Sequence, residues 1–147
     1  MATLERNPVE PGSLGEAEIQ EFAEELDTEK PESASRWLKK YLPKVKVIYA
    51  FQILFSGKSM KDWNPVHIVQ GNIWGALGGI LQADYEGFSN LEGYHILWQF
   101  HDHVKDLWNM AALSESGKWV AFQMDRGNLE HRKAFLEGRI PEGVKII

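Results

Sequence analysis

His101-Asp102-His103, with Asp106 close behind, is the sharpest cluster of chemistry-bearing side chains in the chain. On an extended strand His101 and His103 project from the same side, about 7 Å apart. Two neutral imidazoles so placed can chelate a divalent metal, with a carboxylate as a further ligand. His95 shares their face, but a straight strand sets it about 20 Å from His101. The candidate metal ligands are therefore His101, His103 and Asp106, and the chemistry they imply is metal-assisted hydrolysis. The same HDHVKD run also reads as the polar end of a strand entering a turn, with no chemistry attached.

Other catalytic patterns are weaker. Asp84 and Glu86 alternate onto one face of an expected strand, as general acid–base pairs do. Ser56-Gly57-Lys58-Ser59 resembles the end of a phosphate loop, yet the glycine that the full pattern needs upstream is replaced by Phe51-Gln52. There is no G-x-S-x-G elbow. With no cysteine in 147 residues, a disulfide scaffold, a thiol nucleophile, a Cys-ligated zinc and an iron–sulfur cluster are excluded. No cofactor is implied, and no catalytic residue is assigned.

A binding surface is the stronger expectation. One glutamine sits inside each of four apolar runs: Gln52, Gln82, Gln99 and Gln123. A buried amide without partners costs about 1–3 kcal/mol, so these side chains face water, bond one another or line a polar pocket. Of the six tryptophans, Trp63, Trp74, Trp108 and Trp119 flank turns or strand ends. Indole rings offer a flat apolar wall with one donor, suited to gripping a small organic ligand or a protein. The resulting reading is a small, non-catalytic binding or interaction protein that uses an aromatic-rich sheet surface or pocket. Its partner is a small molecule, another protein, or a second copy of the chain in a homodimer.

Charge bounds the partners further. The formal net charge is −5, which argues against general nucleic-acid binding. Residues 1–32 carry ten acids and two bases, whereas residues 33–46 carry five bases and no acid. Two mutually attracting helices explain that contrast; a docking patch for phosphate or an acidic partner is the functional alternative. No basic-then-apolar leader opens the sequence and no apolar run reaches about 18 residues, so the expected setting is cytoplasmic, with no membrane contact.

The elements that must position these residues follow from periodicity. Residues 1–12, with Pro8, Pro11 and Gly12, read as a flexible lead, and residues 13–147 as a single domain. Ser13-x-x-Glu16 is a capping box; Ile19, Phe22, Ala23 and Leu26 continue at helical spacing over about 14–27. Pro31 opens a second helix whose apolar stripe is Ala34, Trp37, Leu38, Tyr41 and Leu42, and Pro43 stops it. Val45 to Phe55 reads as a largely buried strand ended by Gly57. Over 62–79, Asn64-Pro65 followed by Val66, Val69, Ile73 and Leu77 favours a helix, over a hairpin turning at Gly71-Asn72. The runs ILQADYEGF, GYHILWQFHDHV, LWNMAALS and KWVAFQMD then predict four antiparallel strands. Leu129 to Leu136 follows as a short helix capped by Asn128 and ended by Gly138, and the tail can add an edge strand.

The predicted fold is α+β: two N-terminal helices packed on a mainly antiparallel sheet of about five strands, with a short C-terminal helix. Tyr94, Ile96, Trp98 and Phe100 supply the covered face. His95, Leu97, Gln99, His101 and His103 supply the mixed one.

Overall fold

A computed structural model describes residues 2–53 and 60–147. The class is α+β, and the chain divides into two compact units, one of residues 1–22 and 42–79, the other of residues 23–41 and 80–147. Ser56-Gly57-Lys58-Ser59, Phe55 and the expected strand end at Gly57 lie outside the described residues.

In the first unit, β1 (Ala2–Pro8) pairs antiparallel with β2 (Val47–Ile53), from Ala2 opposite Ile53 to Pro8 opposite Val47. The segment expected to be a flexible lead thus carries a strand. Apart from Thr3 it carries none of the β-branched or aromatic side chains that favour pairing, which are concentrated on β2. From Val47 to Phe51, β2 is half-buried rather than buried, as fits a two-stranded ribbon. Helix α1 (Leu14–Glu25) begins at the capping box: Ser13 Oγ accepts the Glu16 N–H at 3.1 Å, and Glu16 reaches back to the Gly12 N–H at 2.7 Å. Gly15, in its first turn, lies against the chain leaving β1, where an added Cβ would sit 2.5 Å from the Pro8 carbonyl oxygen. Helix α2 (Glu32–Tyr41) belongs to the second unit, and a 3-10 turn over Leu42–Lys44 follows it. Residues 60–77 form helix α3 (Met60–Leu77), not a hairpin. It ends where Gly78, at φ +68°, donates to the Trp74 carbonyl.

The second unit replaces the expected single sheet with two smaller ones. The short strands β3 (Gln82–Ala83) and β4 (Gly87–Phe88) form one. The other has the order β5-β6-β7, from β5 (Leu107–Leu113), β6 (Trp119–Asp125) and β7 (Lys145–Ile146). The turn at Ser114–Gly117 and the face of Phe122 and Met124 fall where alternation puts them, with both side chains buried. Helix α4 (Leu129–Leu136) is capped by Asn128 Oδ1, which accepts the Glu130 and His131 N–H groups.

The main departure is the run from Tyr94 to His103, which is not a strand with one greasy and one mixed face. Ile96 and Leu97, adjacent in sequence, are both fully buried, with His95, Trp98 and Phe100 nearly so. The backbone bends at Leu97 and takes its partners from several directions. His95 bonds Asn109 and Ala111 of β5, Ile96 bonds Phe88, Trp98 bonds Lys30, and Gln99 bonds Glu86. A segment enclosed on all sides needs apolar side chains on both faces, so two-residue alternation loses its meaning there. The three-stranded sheet is roofed by α2, the second of the two expected N-terminal helices, against β5, and by the C-terminal helix α4 against β6. Its core gathers Trp98, Phe100, Met110, Phe122, Met124 and Phe135.

Candidate functional site

The residues expected to form one binding surface are distributed over both units. Gln52, Trp63 and Trp74 belong to the first unit; Gln82, Gln99, Gln123, Trp108 and Trp119 belong to the second. Gln52 and Trp63 are exposed, and the Trp74 indole is satisfied by the Gly79 carbonyl. Gln82 donates to Asp84, Gln123 faces Asn109 across the β5–β6 ladder, and Trp119 meets Trp37 edge to face. The glutamines therefore sit in separate local settings.

Asp84 and Glu86 are not alternating strand residues. They flank Tyr85, whose φ is +64°, in the turn between β3 and β4. His101, Asp102, His103 and Asp106 are exposed. The His101 and His103 rings lie 6.3 Å apart, and the His103 N–H donates to His101 Nδ1 at 3.2 Å. Asp106 adopts φ +75°, and its carbonyl accepts the Arg126 N–H. Among the described residues no group of three His, Asp or Glu side chains is gathered as a metal site.

Two arginines, Arg126 buried and Arg132 half-buried, lie over the aromatic rings of the second unit, and sequence reasoning missed both. Arg126 lays its guanidinium over Phe100 and Trp108, 4.6 and 4.1 Å from the ring centroids. Arg132, on α4, sits 5.0 Å over Trp98 and donates to the carbonyls of Asp102 and Arg126. Cation–π contact offsets part of the cost of removing these cations from water. Burial pulls the Arg126 pKa below its ordinary value, opposed by Glu86 and Asp106. His95 stacks on Phe100; its Nδ1 accepts the Trp108 indole N–H at 3.3 Å, which leaves Nε2–H to donate to the Glu86 carbonyl at 3.0 Å. Desolvation drives its pKa down to about 4, the Glu86 bond acts the other way, and Arg126 lowers it further. This is a neutral, hydrogen-bonded core histidine, built to hold rings in place.

One concave feature of this unit is an open cleft of about 670 Å³ between the first turn of α2 and the outer face of α4. Lys30, Arg36, Arg132 and Lys133 line it, against the carboxylates of Glu32 and Glu137. Each carboxylate already has an arginine: Arg36 stands 3.9 Å from Glu32, and Arg139 pairs with Glu137. That hydrogen bond from Arg139 holds the Glu137 carboxyl below its usual range against the effect of burial, with Lys133 adding to the pull. Lys30 makes no ion pair among the described residues. Leu113, Leu129 and Leu136 supply the apolar lining, and the floor includes Ser33 and Gly138, where Ser33 Oγ lies 3.2 Å from the place a Gly138 Cβ would take.

A signal for this cleft does exist in the sequence. Leu129, Arg132, Lys133 and Leu136 recur at the spacing of a single helix face, an alternation of leucine and cation that suits a lined groove better than a core. Arg36 belongs to the basic stretch of residues 33–46, one of whose other cations, Lys39, pairs with Asp27. What periodicity lacks is the pairing of the two helices across space. Compared with protein-family models, curated proteins and solved structures, the chain finds no match in any of the three.

Proposed function

We propose that this protein is a non-catalytic small-molecule-binding module and that the cleft between α2 and α4 is its binding site. The observation that carries this reading is the cleft itself. Its volume of about 670 Å³ falls within the roughly 300–1,000 Å³ usual for ligand pockets. Three leucines give it an apolar strip, and the rest of its lining is mainly charged and polar, so a ligand is oriented by charge and partly buried by the leucines. Of the tryptophans expected at a contact surface, Trp108 meets His95 and Trp119 meets Trp37, each edge to face, which favours the cleft over that surface.

The test is a chemical-shift map of a fragment library on isotope-labelled full-length protein. Binding fragments are expected to move amides of residues 30–36 and 129–138. Shifts centred on Trp108 and His101, or turnover of ester or phosphate substrates in the presence of zinc or manganese, would return the choice to the aromatic surface or to the hydrolase.

A further inference from the structure

Resting on that reading of the cleft, we infer that its ligand is an amphipathic organic oxyanion: a carboxylate or phosphate monoester headgroup received by Lys30 and Lys133, with an apolar body laid along Leu113, Leu129 and Leu136. The charge count decides the sign. Four cations line the cleft against two carboxylates, within a chain whose formal net charge is −5. Each carboxylate also has an arginine within ion-pair distance, so the two carboxylates are already compensated and the surplus charge of the cleft is positive.

The cations differ in what they can offer. Arg132 spends its terminal nitrogens on two backbone carbonyls and lies against Trp98. Arg36 stands near Glu32. Lys30 has no ion-pair partner among the described residues, and Lys133 shares Glu137 with Arg139. The lysines, both exposed, are the groups left to meet a headgroup, and an ammonium meets a compact oxyanion well as a point charge.

The apolar body follows from the leucines. Leu129 is 70% exposed at the start of α4, on the same helix face as Leu136. Leaving it so costs apolar hydration that a hydrocarbon segment would relieve, at roughly 25 cal/mol per Å² covered. An extended polyanion fits less well, because the acidic remainder of the chain repels it beyond the cleft.

The experiment titrates the full-length protein with octanoate, octyl phosphate, octanol and octylamine, read by amide shifts and by calorimetry. Octanoate or octyl phosphate, or both, saturate residues 30–36 and 129–138, and the two arms separate a carboxylate from a phosphate preference. In the doubly reversed variant Lys30→Glu, Lys133→Glu their Kd rises by about tenfold or more and octylamine gains affinity, while Lys30→Met, Lys133→Met gives an intermediate loss. Saturation of the same residues by octanol or octylamine as tightly as by the anions overturns the ligand class and leaves the cleft a binding site. No saturation by any of the four overturns both.

Discussion

His95 shows how a residue of apparent chemical promise becomes a structural one. Its ring is 9% exposed, accepts from Trp108, donates to Glu86 and titrates at about 4 instead of 6.5. In the unfolded chain it protonates near 6.5, so the folded state binds fewer protons between those values. Stability is therefore full above pH 6.5 and falls as pH drops toward 4, by about 3 kcal/mol over that window. Urea denaturation at stepped pH will show this limb, and His95→Gln will flatten it. None of this was legible from the sequence, where His95 stood on a mixed face beside His101 and His103. Its fate was set by Glu86 and Trp108, which lie in the neighbouring β3–β4 turn and in β5 and meet it only once those elements fold around it. Arg126 escaped notice for the same reason: nothing in a lone arginine after a strand announces the two rings it will lie upon.

Elements with strong local signals were read well. The Ser13–Glu16 cap, the α2 stripe, the β5–β6 hairpin and the Asn128 cap each rest on interactions within a few residues, which a sequence displays directly. Asn128→Ala should cost about 1 kcal/mol, measured by thermal or urea unfolding. Glycine gives a sharper contrast within helices. Gly75 in α3 has nothing within 4 Å of an added Cβ, so Gly75→Ala should stabilise by about 0.5–1 kcal/mol. Gly15 in α1 faces the Pro8 carbonyl oxygen at 2.5 Å; Gly15→Ala should destabilise by about 1–3 kcal/mol despite alanine's better helix propensity. The same unfolding assay on both variants checks the pair. Strand β1 was missed because its side chains carry no pattern of their own, and the Tyr94–His103 run was misread because enclosure on both faces removes the alternation that defines a strand's sides.

At the scale of the molecule, charge is distributed against its own average. The chain is acidic overall, yet the α2–α4 cleft gathers an excess of cations. Ionic strength separates the two influences. If the local excess governs, raising sodium chloride from about 50 to 500 mM weakens octanoate binding, because screening removes an attraction; if the net charge governs, added salt strengthens it. Calorimetric titration at the two salt levels reads the sign. The predicted class was right and its architecture was not, since one broad sheet under two leading helices became several small sheets. The enclosed stretch from His95 to Gln99 explains why. Its main chain is tied to residues 30, 86, 88, 109 and 111, so it can settle only after segments scattered along the chain have met. Most of these ties are short-range, but the one from Trp98 back to Lys30 closes a long loop, which is slow; the β5–β6 hairpin and α4 can therefore form early, this stretch is completed last, and its amide protons at Ile96 and Trp98 will be among the slowest to exchange with solvent deuterium.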